Sequence, residues 1–197
     1  FLYVYANGLN VPEEPTFGGW GGRFSTYKAK NVRGMDFITR SGNNESQYDP
    51  YCMYVSAAEG GEAIKRWQQE IWNDFAARMA WTTTSEYSAV NHHPTAIVDG
   101  HDDMNCIYKK VKAGRDMEFD ASASYDPDGN PLDFRWEIYA EPSTYKGKVN
   151  MENGDSPKCR IHIPAEASGK SLHVILSLTD RGTPALTAYK RIVVQVL

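Results

Sequence analysis

Residues 119–136 read Phe-Asp-Ala-Ser-Ala-Ser-Tyr-Asp-Pro-Asp-Gly-Asn-Pro-Leu-Asp-Phe-Arg-Trp, and this stretch decides the fold. It predicts a strand ending at Asp120, then an acidic turn built on Asp126, Pro127, Asp128, Gly129 and Asn130. Each turn residue has its own duty: Pro127 fixes φ, Gly129 supplies a positive φ, and the Asp and Asn side chains cap nearby backbone. A second strand follows with Phe134 and Trp136 on one face. A Trp on a central strand between such flanks is expected to lie between two packed sheets.

Downstream the strand signals are regular. Residues 96–98, 117–119, 132–139, 148–151, 160–163, 172–179 and 188–196 predict about seven strands, the number a simple immunoglobulin-like sandwich of the PKD or cadherin kind requires. Within 172–178, Leu172, Val174, Leu176 and Leu178 alternate with His173, Ile175 and Ser177, so one face is core.

Upstream the pattern changes. Residues 1–5 are an apolar run without polar alternation, which predicts a strand buried on both faces, as in a parallel sheet. With no second strand of that kind nearby, it is expected to be the end of a sheet lying upstream, and the chain the tail of a longer protein. Residues 6–54 read as one long irregular stretch rich in Gly, Pro, Asn and Ser. A helix is predicted over 62–80, where Ile64, Trp67, Ile71, Trp72, Phe75 and Met79 form one apolar stripe at helical spacing. Residues 90–94 read as a linker. The expected fold is mainly β with one long helix: a loop-rich α/β remnant over residues 1–89, then the Ig-like sandwich over 90–197.

Composition narrows the function classes. Of 197 residues, 41% are hydrophobic and 23% charged, which is ordinary globular usage. A formal net charge of -4 argues against a broad nucleic-acid footprint. No apolar run approaches the ~20 residues that span a bilayer. Cys52, Cys106 and Cys159 are far apart with no C-x-x-C pair, so neither a zinc cluster nor a disulfide framework is indicated.

Three segments together resemble a known family. They are 1–24, with Phe-Leu-Tyr-Val-Tyr, Asn7-Gly-Leu and Gly18-Gly-Trp-Gly-Gly-Arg-Phe24; Trp72-Asn-Asp-Phe-Ala-Ala-Arg-Met-Ala-Trp81; and Asp120 to Gly129 with Val174 to Thr187. The pattern is similar to the C-terminal part of secreted cellulose-binding proteins in which a nucleoside-hydrolase-like domain precedes an Ig-like domain. That resemblance implies a secreted, periplasmic or cell-surface location, a polysaccharide or other glycan as ligand, and an upstream hydrolase-like domain as partner. The Asp-rich calcium-binding catalytic cluster of nucleoside hydrolases has no counterpart here. The one Asp-dense stretch, Asp99-Gly-His-Asp-Asp103, follows the helix. No catalytic residue is therefore expected in this chain. The competing expectation is that the complete protein is an N-glycosidic-bond hydrolase to which this chain contributes substrate loops, and a third is a spacer or protein-interaction module.

Candidate site residues follow. Trp20, ringed by glycines and followed by Arg23, is suited to stack on a sugar face while Arg23 donates hydrogen bonds, and Asn7 is expected to lie beside them. The opposing explanation, that Trp20 anchors a long loop, is favoured because Trp is mostly buried. Asp126 and Asp128, with Asp180 downstream, are candidate calcium ligands if both turns converge, since calcium needs 6 to 8 oxygens. Turn chemistry explains the same residues without an ion. His92, His93, His101, Asp102 and Asp103 fit no standard zinc spacing. Asp133, Glu137, Glu118, Asp120 and Glu141 take polar strand positions rather than the paired geometry of glycoside hydrolysis. Asn44-Glu-Ser46 matches a glycosylation sequon.

Overall fold

The computed structural model describes residues 7–28 and 52–197. The strand expected over 1–5 and the sequon at Asn44 lie outside the described residues. Among the described residues, alternation of β-branched and aromatic residues lays down nine strands: β1 Phe24–Lys28, β2 Cys52–Ser56, β3 Ile107–Val111, β4 Asp116–Asp120, β5 Leu132–Ile138, β6 Asn150–Glu152, β7 Lys158–His162, β8 Ser171–Asp180 and β9 Thr187–Val196. Two α-helices, α1 Glu62–Lys65 and α2 Gln68–Trp81, sit between β2 and β3.

Two sheets make the sandwich, one ordered β3-β9-β8-β5 and the other β4-β7-β6. β8 and β9 pair antiparallel over Ser171↔Gln195 to Thr179↔Thr187, while β3 runs parallel beside β9. Phe119, Trp136, Ile161, Val174, Leu176, Ile192 and Val194 meet in the core between the sheets. Trp136 is 4% exposed, stacks on Phe119 at 5.6 Å and donates its indole N–H to the Ser156 carbonyl at 2.9 Å. The indole lies where residues 119–136 predict. However, its strand β5 is the last in its sheet rather than a central one. Burying roughly 200 Å² of indole is worth about 5 kcal/mol before entropy is counted.

Four expectations change. Residues 96–98 form no strand; only the bridges Thr95↔Tyr125 and Val98↔His101 occur there. The strand beside β9 is instead β3, whose alternation is masked by Lys109, half-buried between Ile107 and Val111. Residues 6–54 are not irregular throughout, because β1 pairs antiparallel with β2. The helix over 62–80 is two helices interrupted at Arg66 and Trp67, and its buried residues are Ala63, Trp67, Asp74 and Ala77. Ile64, Trp72, Phe75 and Met79 are exposed, Trp72 at 58%. The apolar stripe is therefore split between two faces: Trp67 and Ile71 pack inward, and the remainder faces outward.

A second core lies on the outer face of the four-stranded sheet. Leu9 and Trp20 from the Gly-rich loop, Trp67 from the helical segment, and Tyr139, Ile175 and Tyr189 from the sandwich form one buried cluster. Both faces of β8 are thus covered, and His173 and Ile175 are as buried as Leu172. The segment 90–94 is packed, with Asn91 and Pro94 buried. Helix α2 is held to the sandwich by Asn73 donating to the Ala185 carbonyl at 3.0 Å and Trp81 donating to the Asn91 carbonyl at 2.8 Å.

Candidate functional site

The Gly-rich loop is fastened from below. Tyr189 lies beyond the reach of β3, and its backbone N–H donates instead to the Asn7 carbonyl at 2.8 Å. Gly8 follows with φ 80°, and a Cβ there would meet the Tyr189 carbonyl oxygen at 2.1 Å, so only glycine permits this approach. Gly18, at φ 75°, leaves 2.7 Å between a would-be Cβ and the Tyr139 hydroxyl.

The predicted binding residues occupy this loop without presenting a common face. Trp20 is 6% exposed; its indole N–H donates to the Tyr189 hydroxyl at 3.3 Å and its ring meets Tyr189 edge to face at 6.1 Å. The ring faces the second core, so stacking on a sugar is not what this arrangement offers. Asn7 is buried and its side-chain oxygen caps the Leu9 N–H at 3.0 Å. Arg23 makes a paired ion bridge to Glu59, with Nη2 donating to Oε2 at 2.8 Å. That bridge holds the Glu59 carboxyl below its usual range.

A buried guanidinium missed by sequence reading ties the loop to the sheet. Arg191 on β9 is fully buried and donates to the carbonyls of Leu9 at 2.8 Å and Gly18 at 2.7 Å, and to His173 Nδ1 at 3.1 Å. None of these partners is anionic, and burial pushes the guanidinium down to about 10. The acceptor role of Nδ1 requires neutral His173 with its proton on Nε2. Burial, then Arg191 and Lys146, push His173 down to about 3. An Arg within the apolar run of β9 was the available signal, since a charge there is rarely buried without partners.

The acidic turns do converge, but around an amide. Asn91 donates to the Asp180 carboxylate at 3.0 Å and the Pro184 carbonyl at 2.9 Å, and accepts from Asn130 at 2.9 Å. Asp180, buried, also takes the N–H groups of Gly182 at 2.8 Å and Leu186 at 3.0 Å. Asp126 caps the N–H groups of Asp128 and Asn130, and Asp128 accepts from the His92 N–H at 2.7 Å. Among the described residues no group of three or more His, Cys, Asp or Glu could hold a metal ion. Asp126, Asp128 and Asp180 are therefore turn and bridge acceptors here.

The histidines separate as well. His92 stacks on Tyr87 at 3.6 Å and on Trp81 at 5.7 Å, whereas His93 reaches Asp74 at 2.8 Å. Asp103 bonds the buried ammonium of Lys190, which holds its carboxyl down to about 2. The strand carboxylates face cations: Asp133 to Arg181, Glu118 to Arg160, Asp120 to Lys158, and Glu137 and Glu141 to Arg66. Asp120 is held at about 2 by its bonds from Ser122 and Lys158. A carboxylate kept charged in this way is a poor general acid.

The outer sheet face also carries an open groove of about 490 Å³. Its floor is formed by alternate residues of β3, β9 and β8, including Tyr108, Val193, Gln195, Ser171 and His173, and Phe17 of the loop borders it. Sequence reading missed it because its residues come from strands far apart along the chain.

Fold and site define a sandwich of the Ig-like class with an aromatic-anchored second layer on one sheet. Residues 116–196, which run from β4 through β9, match the family model described as the C-terminal domain of the cellulose-binding protein Sde0182. The whole chain is similar to a nucleoside hydrolase-related protein of Saccharophagus degradans that is associated with carbohydrate metabolism. Identity is 42%, the TM-score is 0.84, and the match covers 100% of this chain and 46% of that one. The chain thus spans a little under half the length of that relative, and the resemblance read from its motifs is shown. A PKD domain from the KIAA 1837 protein is 16% identical over 46% of this chain and 78% of its own, with a TM-score of 0.34. Human CDH23 EC21-23 is 14% identical over 53% of this chain and 33% of its own, at 0.38. A comparison with curated proteins finds no match. No described helix is long and apolar enough to cross a membrane.

Proposed function

We propose that this chain is a non-catalytic, carbohydrate-associated region of a secreted or cell-surface protein, which binds polysaccharide and supports a nucleoside-hydrolase-like domain. The observation that carries the reading is the likeness, at 42% identity over the full chain, to a protein associated with carbohydrate metabolism, together with the cellulose-binding family model over the sandwich. The geometry supports the non-catalytic part, because the carboxylates surveyed are held in ion pairs or turn hydrogen bonds. Pull-down with insoluble cellulose and titration calorimetry with soluble glycans test it. Retention on at least one polysaccharide is expected, and indifference to all of them removes the reading. Assay against nucleosides with calcium separates it from the hydrolase alternative, in which Asn7, Trp20 and Arg23 would serve a substrate loop.

A second reading, a protein-interaction module, is favoured by the exposed face of α2, where Trp72 and Phe75 meet edge to face at 6.3 Å beside Met79. Such a face on a helix otherwise anchored by Trp67 is suited to a protein partner.

A further inference from the structure

The four-stranded sheet presents one outer face with two halves. Over the first half, Ile175, Tyr189 and Arg191 are covered by the loop and helical layer carrying Leu9, Trp20 and Trp67. Over the second half, Phe17 meets the buried His173 ring edge to face at 4.4 Å, and among the described residues that layer ends there, leaving Tyr108 exposed. Strand register places Tyr108 opposite Val193 and Val193 opposite His173, making one row across three strands. Lys110, Gln195 and Ser171 make the next row on the same face. Two inter-strand spacings give a floor roughly 10 Å wide.

The chemistry of this floor is mixed in a particular way. Tyr108, 62% exposed, supplies an aromatic surface beside Val193, and Phe17 stands at the border. The second row supplies an ammonium, an amide and a hydroxyl, and Thr144 adds another hydroxyl 3.1 Å from that of Ser171. Among the described residues no carboxylate lines the groove. Apolar carbon and hydrogen-bonding groups thus alternate over a shallow open surface, matching a pyranose ring with an apolar C–H face and a rim of hydroxyls. A second pocket, lined by Glu59, Arg66, Trp67 and Glu141, is less suited, since Arg66 already lies over the Trp67 ring at 4.6 Å and bonds Glu137 and Glu141.

We propose that the uncovered half of the β3-β9-β8 outer face is the glycan-binding surface of this chain, with Tyr108 as the stacking platform for a neutral pyranose polysaccharide and Lys110, Gln195 and Ser171 as its hydrogen-bonding row. This rests on the polysaccharide reading above and gives that reading a location. Strands β8 and β9, which carry much of the floor, lie within the segment matched by the cellulose-binding family model.

The test compares the whole chain with Tyr108→Ala and Gln195→Ala, and with Tyr87→Ala and Tyr125→Ala as controls at exposed tyrosines elsewhere. Depletion onto insoluble cellulose and affinity electrophoresis in soluble β-glucan are read, with thermal melts to verify the fold. Loss of a central aromatic anchor is expected to weaken retention about tenfold or more, with a smaller loss for Gln195→Ala and none for the controls. If the wild-type chain binds and Tyr108→Ala binds equally, the location is overturned while the polysaccharide reading stands. If the controls lose as much as Tyr108→Ala, the location is likewise overturned. If the wild-type chain binds no glycan offered, the polysaccharide reading falls and the location with it.

Discussion

Lowering the pH from 8 to 4 acts on one buried pair more than on any surface ion pair. His173 is neutral in the folded chain because its Nδ1 accepts from Arg191 and its ring is shut away from water. In the unfolded chain it titrates near 6.5, and folded it is pushed down to about 3. Below 6.5 the unfolded state takes up a proton that the folded state refuses, so stability is intact above that pH and is lost progressively toward 3. Linkage gives a loss of about 2 kcal/mol at pH 5 and ~3 kcal/mol at pH 4, relative to pH 8. Asp103 and Asp120, held at about 2, lose their contributions only below about 4, so the upper part of the window belongs largely to His173. Urea titrations at fixed pH measure the slope. His173→Asn is the informative variant, since its amide oxygen can accept from Arg191 without binding a proton. It is expected to be less stable at pH 8, because ring packing against Phe17 is lost, but nearly flat between pH 7 and 5. A wild-type curve that is flat over that range, or a variant with the same slope as the wild type, refutes the reasoning.

Arg191→Met removes three hydrogen bonds and leaves the Leu9 and Gly18 carbonyls buried without a donor, so a loss of about 3 kcal/mol is expected in urea unfolding. Asn91→Ala unties both acidic turns at once and is expected to cost about 2–3 kcal/mol, read as a lowered Tm. Calcium at 1 mM is expected to move the wild-type Tm by less than about 1 °C, whereas a site of 10 μM affinity would add about 2.7 kcal/mol of stability. Trp67→Ala is expected to cost about 3–5 kcal/mol and Trp72→Ala less than about 1 kcal/mol, a contrast in thermal melts that identifies the inward face of the helical segment.

The sandwich was legible because its signals are local. Pro127, Gly129 and the Asp side chains act within a few residues of themselves, and Leu172 to Leu178 alternate within one strand. The second core was not legible, because nothing near Ile175 in sequence reports that Trp20 and Trp67 will cover it, or near His173 that Phe17 will. The helix shows the same limit from the other side. An apolar stripe at helical spacing does not say which members face a partner, and the break at Arg66 and Trp67 turns Trp67 inward while Trp72 stays outside. For the acidic turns, convergence was only a condition on calcium binding in the sequence reading, and an ion and an amide satisfy the same carboxylate. Only the position of Asn91 distinguishes them. Tyr108 was passed over because its neighbours in the groove come from strands about 60 to 90 residues away.

The groove and the buried guanidinium are one mechanical unit, since His173 belongs to both. His173 lies beneath the groove, buried under Phe17, which meets its ring edge to face at 4.4 Å, and its Nδ1 receives Arg191. Arg191 also lies 5.8 Å from the Phe17 ring and bonds the Gly18 carbonyl next in the chain. The border of the groove is therefore held by the same three hydrogen bonds that close the second core. Protonating His173 would set a cation against Arg191 and remove the acceptor at Nδ1. Arg191, buried in β9 ahead of the apolar residues 192–194, thus ties the second core to the loop that borders the groove. A nonpolar residue there could pack the second core, but it could not position the loop that borders the groove.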